Sequence, residues 1–172
     1  TNLTFNIAEN DTYGNREGTI TFNQKCGDLS STITISQLQN SAIIISETVY
    51  DISSRNKELE IKLNTNVDYE IIIPEEAKSW VSYIETRALR AETVVLNIAE
   101  NSSEKMRSAK VQIKDKATDL QETITINQMG NVPGVYWVDK MGTLGTILSQ
   151  TQKDTITTMI VKGEINKADF DV

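Results

Sequence analysis

The 172-residue chain contains no histidine. That absence removes the commonest general base, the usual imidazole metal ligand and every Ser-His or Cys-His arrangement. There is one cysteine, Cys26, so no internal disulfide can form and no Cys-rich zinc spacing exists. Cys26 reads as a small residue near a hairpin turn. Proline is confined to Pro74 and Pro133. No run of Lys or Arg occurs, and the net charge is −7. Nucleic acid, whose phosphates need a basic face, is therefore not expected as a partner, and neither is an anionic membrane surface. No apolar run nears the roughly 20 residues of a membrane span, so no membrane insertion is expected of this segment. No signal-peptide pattern opens the chain. It starts directly on strand-like alternation, as expected where a leading segment has been trimmed.

What is present suffices for a core. The chain is 38% hydrophobic and 24% charged, and Thr and Ile, which suit half-buried strands, are abundant. The stretch "NIAEN" stands at residues 6–10 and again at 97–101. Laid over each other without gaps, residues 3–37 and 94–128 share 14 identities, all 91 positions apart. A 91-residue period is too long for a solenoid unit and right for a small domain. The expected organisation is a partial first copy over 1–37, holding its last three strands, a complete copy over 38–130, and a different tail over 131–172.

Within the copies, apolar residues alternate with polar ones. The first copy shows Leu3, Phe5, Ile7, then Ile20, Phe22, then Ile33, Ile35. The full copy shows Ile43, Ile45; Leu59, Ile61, Leu63; Tyr69, Ile71, Ile73; Val94, Leu96, Ile98; Val111, Ile113; and Ile124, Ile126. A period of two places one face in a core and the other in water. Short strands at this spacing predict an all-β fold, an immunoglobulin-like β-sandwich. "PEEAKSW" at 74–80 breaks the pattern as a loop or short helical turn. Ile7 and Ile98 each close a strand, and Asn10 and Asn101 follow where the chain leaves the sheet; Asn tolerates left-handed turns. Arg16 and Arg107 precede the next strand, where a guanidinium can tie the loop to carbonyls or a carboxylate.

In the tail, Val135–Val138 reads as a short strand. Met141, Leu144, Ile147 and Leu148 fall at helical spacing and predict one amphipathic helix, and "TITTMIVKGEIN" follows as strand and turn.

Trp80 is a candidate sugar platform, because aromatic faces stack on pyranose rings. The alternative is that it fills the core, in keeping with its apolar neighbours Val81 and Ile84. Tyr136 and Trp137 sit between module and tail, where they either pack the joint or line a binding patch. Acids recur as Glu9/Glu100 and Asp28/Asp119. A calcium site needs six to eight oxygens, and "ENDTYGN" loses its Asp in the counterpart "ENSSEKM", so no metal is expected. Glu75 and Glu76 suit the start of a helical turn without any catalytic role. No cofactor and no catalytic residue is expected.

The order of features resembles the BACON family, the Bacteroidetes-associated carbohydrate-binding often N-terminal domain. The residues that carry the resemblance are Asn66, Tyr69, Ile71, Trp80, Val81, Asn101, Arg107, Ala109, Ile126 and Gln128. The first copy supplies Asn10, Arg16, Gly18, Ile35 and Gln37. The tail is similar to the entry into a BspA-type leucine-rich-repeat domain, through Met159, Val161, Gly163, Ile165 and Asn166. These resemblances imply a noncatalytic module on the outer membrane or in the surroundings of a Gram-negative bacterium. There a sandwich stalk would present a leucine-rich-repeat head to a host or environmental surface protein. They also leave room for a carbohydrate-binding module taking mucin or polysaccharide glycans, alone or attached to a glycoside hydrolase.

Overall fold

A computed structural model of the chain describes residues 2–84 and 93–171. The first hairpin comprises β1 (Arg16–Asn23) and β2 (Ser30–Gln37). Eight strands follow: β3 (Ile43–Ile45), β4 (Val49–Ile52), β5 (Lys57–Thr65), β6 (Tyr69–Ile72), β7 (Val81–Ile84), β8 (Thr93–Ile98), β9 (Arg107–Asp115) and β10 (Gln121–Gln128). They form two four-stranded sheets, ordered β3-β5-β8-β7 and β4-β10-β9-β6. Every pair is antiparallel except β4 with β10. This is a sandwich of the immunoglobulin-like kind, with its leading segment split between the two sheets. A short 3-10 turn at Glu75–Ala77 occupies the predicted interruption.

The alternation builds the core directly. On β5, Leu59, Ile61 and Leu63 are buried, while Glu58, Glu60 and Lys62 between them are exposed. Val94, Leu96 and Ile98 of β8 meet Val111 and Ile113 of β9 and Ile124 and Ile126 of β10 in one cluster. Each such side chain contributes about 1.5–3 kcal/mol by leaving water.

The expected strand at Leu3, Phe5 and Ile7 does not form; these residues belong to no ladder, and all three are exposed. The reason lies in β8, which occupies the equivalent place in the complete sandwich. It takes its hydrogen bonds from β5 and β7 and none from the following hairpin. Residues 1–37 contain no segment equivalent to β5 or β7. Phe5 instead meets Phe22 edge to face, with ring centroids 6.2 Å apart.

The tail holds β11 (Val135–Val138) and β12 (Ile160–Gly163), paired in parallel. Between them the single expected helix is two pieces, α1 (Leu144–Ile147) and α2 (Gln150–Thr155). Leu148 is extended at the break. Ser149 then caps α2, its hydroxyl accepting from the Gln152 N–H while the Gln152 side chain accepts from the Ser149 N–H. This reciprocal cap starts a new helix rather than continuing the old one. Leu144 and Leu148 bury against Val138, but Met141 precedes α1 and is exposed. Gly163 has φ +95°, and a Cβ there would strike the Val138 carbonyl, so the β11–β12 junction needs glycine.

Candidate functional site

The repeated motif is a framing device whose parts are hydrogen bonds. Asn101 Nδ2 donates to the carbonyls of Lys105 (2.8 Å) and Met129 (3.0 Å), and its Oδ1 accepts from Ser103 N–H at 3.2 Å. Asn10 makes the same three bonds, to Gly14 O, Leu38 O and Thr12 N–H. Arg107 Nε donates to Gln128 Oε1 at 2.8 Å, and its Nη2 donates to the Ala99 and Glu100 carbonyls. Arg16 repeats this with Gln37, Ala8 and Glu9. The guanidinium therefore ties the loop to carbonyls rather than to a carboxylate. The chain leaving each hairpin is also pinned alike: Asn40 N–H donates to Thr12 O and Asn131 N–H to Ser103 O.

Trp80 belongs to the core. It is 7% exposed, with the Arg107 guanidinium 4.3 Å from its ring centroid. Partial burial lowers the Arg107 pKa, because desolvation disfavours the cation. The Arg107 guanidinium covers one face of this indole and the ring belongs to the buried core cluster, which leaves little of it open as a platform.

Tyr136 and Trp137 are both half-buried and line a cleft of about 500 Å³ where the tail meets the sandwich. Arg55, Ile147, Gln152 and Lys162 also line it. Tyr136 Oη accepts from Gln152 Nε2 at 3.0 Å, which fixes the phenol against α2. Arg55 Nη2 donates to the Trp137 carbonyl at 3.2 Å. The joint itself is locked by Asp139. Its carboxylate accepts from Ser53 N–H and Ser53 Oγ, both at 2.7 Å, and lies 3.6 Å from Arg55 and 3.7 Å from Lys57.

A second carboxylate, Asp169, closes the tail. It is buried and accepts from the N–H groups of Leu144, Gly142 and Asn166. Those donors hold its pKa below the usual carboxylate value, the Leu144 bond foremost. Sequence reasoning missed Arg55, Asp139, Gln152, Lys162 and Asp169. Gln152 and Asp169 had local signals, each lying three residues after its capping partner, Ser149 and Asn166. No helix among the described residues is long and apolar enough to cross a membrane.

The BACON family model, described as "Putative binding domain, N-terminal", matches residues 1–38 and 69–129. No curated protein matches the sequence. Among solved structures, the chain is similar to a Bacteroides ovatus GH5 xyloglucanase in complex with a XXXG heptasaccharide. The identity is 16% and the TM-score 0.45, over 65% of this chain and 24% of that one. It is also similar to the endo-fucoidan hydrolase MfFcnA4 from glycoside hydrolase family 107, at 18% identity and a TM-score of 0.37, over 67% of this chain and 19% of that one. The chain thus spans a small part of either enzyme.

Proposed function

This chain belongs to the BACON family, and on that premise we propose that it is a noncatalytic binding and spacer segment of a bacterial surface protein. Residues 1–37 are the C-terminal half of one sandwich, 38–130 a complete second one, and 131–172 the cap of a leucine-rich-repeat head. The observation that carries the spacer role is the pair of pinned exits. Asn40 and Asn131, which follow the two hairpins, are each bonded back to the loop of their own module. Asn10 and Asn101 hold the neighbouring carbonyls of Leu38 and Met129. A linker without slack passes on a fixed direction, which is what a stalk needs.

The test uses pulsed electron resonance on the 172-residue chain, with spin labels at the native, exposed Cys26 and at Lys153→Cys. A single narrow distance peak is expected, and a broad distribution would end the spacer reading. The head is a separate part of the proposal. Leucine-rich repeats in the coding sequence after residue 172 support it, and another domain there removes it. The setting we assign is the outer-membrane or extracellular face of a Gram-negative bacterium, with a host or environmental surface protein as partner.

The second reading is a carbohydrate-binding module for mucin or polysaccharide glycans, with or without an attached glycoside hydrolase. The cleft beside Tyr136 and Trp137 favours it. A glycan array is the measurement, and a blank array eliminates this reading.

A further inference from the structure

The cleft has a charge character opposite to that of the chain. Asp and Glu outnumber Lys and Arg by 24 to 17, yet Arg55 and Lys162 line the cleft and, among the described residues, no Asp or Glu does. Asp139 offsets Arg55 only in part, because the same carboxylate also faces Lys57. Lys162 is exposed and makes no ion pair among the described residues. The parallel register sets Lys162 directly beside Trp137 on neighbouring strands, so cation and indole share one face of the ribbon. One wall is held in advance: Gln152 fixes Tyr136, and Gln152 is itself fixed by Ser149. Walls fixed before binding lose less freedom on binding. The volume of about 500 Å³ suits a ligand of one or two rings rather than an extended strand.

We propose that this cleft binds an acidic saccharide, with Trp137 beneath a sugar ring and Lys162 and Arg55 at its carboxylate. The inference rests on the carbohydrate reading and deepens it by naming the ligand class and the groups that select it. An indole face takes the apolar side of a pyranose ring. Two cations in a half-enclosed site attract a uronate that the rest of an acidic surface repels.

The experiment titrates the 172-residue chain with digalacturonate, with neutral digalactose and with a penta-aspartate peptide, observing the Trp137 indole and Lys162 amide resonances. Digalacturonate is expected to shift both, with an affinity that falls as salt is added. Lys162→Glu should weaken it roughly tenfold or more, while Lys162→Arg, which keeps the charge, should stay within roughly twofold. Lys162 is exposed, so neither variant threatens the fold. Equal binding of digalactose, untouched by Lys162→Glu, overturns the acidic selectivity and leaves the carbohydrate reading standing. Shifts from the peptide alone overturn both. Saccharide binding that moves other resonances but not Trp137 overturns this site and keeps the broader reading.

Discussion

The β1–β2 hairpin and the β9–β10 hairpin share one hydrogen-bond design but have opposite burial. Their registers agree pair for pair, Arg16 facing Gln37 as Arg107 faces Gln128. The Asn and Arg side chains make equivalent bonds in both. Yet Ile33 is 49% exposed where Ile124 is 0%, and Ile7 is 55% exposed where Ile98 is 0%. These bonds close within one hairpin and its flanking chain, spanning at most 28 residues, and need no second sheet. Burial needs the opposite sheet, and among the described residues it is the second hairpin that has one, facing β5 and β8 and flanked by β4 and β6. One sequence pattern therefore fixes the frame twice but builds a core once.

The most forceful way to break this comparison is to truncate the same isoleucine in both places. Ile124→Ala opens a cavity in a sealed core and is expected to destabilise the sandwich by about 2–5 kcal/mol. Ile33→Ala removes a methyl-bearing side chain from water and should change stability by no more than about 0.5 kcal/mol. Urea denaturation of the two variants measures the difference. Equal losses would mean that the first hairpin is covered after all.

The arginines sharpen the comparison at a smaller scale. Arg107→Ala frees the Oε1 of Gln128, a fully buried side chain, and removes the guanidinium from Trp80, while the Ala99 carbonyl keeps its bond from Gln128 Nε2 and the Glu100 carbonyl is left to solvent. A loss of about 1–3 kcal/mol is expected, as for other buried polar groups left without partners. Arg16→Ala breaks the same bonds in water, where solvent replaces them, and should cost under about 1 kcal/mol. Arg107→Lys, which keeps the charge and loses the fork, should fall between. A thermal-melt series that ranks Arg16→Ala with Arg107→Ala would refute the distinction.

The same contrast explains what could be read from the chain in advance. The core strands were legible because Leu59, Ile61 and Leu63, or Val94, Leu96 and Ile98, repeat a pattern set by the pleat itself. β4 was not, because only Tyr50 and Ile52 alternate there, and its partner β10 lies far along the chain in the parallel sense. Leu3–Ile7 misled for the opposite reason. Its alternation is as good as that of Val94–Ile98, but a strand is a relation to a neighbour, and its neighbours are not in residues 1–37. The tail helix broke at a Ser149–Gln152 cap that competes with apolar spacing. At the candidate site, Tyr136 and Trp137 were visible as aromatics at a joint. Arg55 and Asp139 were not, because their meeting depends on how the tail folds back onto the Ser53–Arg55 loop, 86 residues from Asp139 to Ser53.

The smallest expected effect separates the two hairpin turns by pH. Asp115 opens the β9–β10 turn, accepting from Thr118 Oγ1 at 2.5 Å and from Ala117 N–H at 3.0 Å. The Thr118 hydroxyl, then the Ala117 N–H, hold its pKa below the usual carboxylate value, against a weaker opposing push from burial. Gln24 stands at the same place in the β1–β2 turn and does not titrate. A carboxylate with a lowered folded-state pKa stabilises fully above its unfolded value of about 4, and loses that contribution as pH falls through the folded value. Acidification should therefore move the amide resonances of Ala117 and Thr118 while those of Cys26 and Gly27, their equivalents, stay nearly still. Asp115→Asn should abolish the pH response of its own turn and leave the first turn unchanged. If Asp115 instead titrated above the ordinary carboxylate range, burial would outweigh the Thr118 and Ala117 bonds. The sign of the argument would then reverse, with the turn tightening rather than loosening in acid.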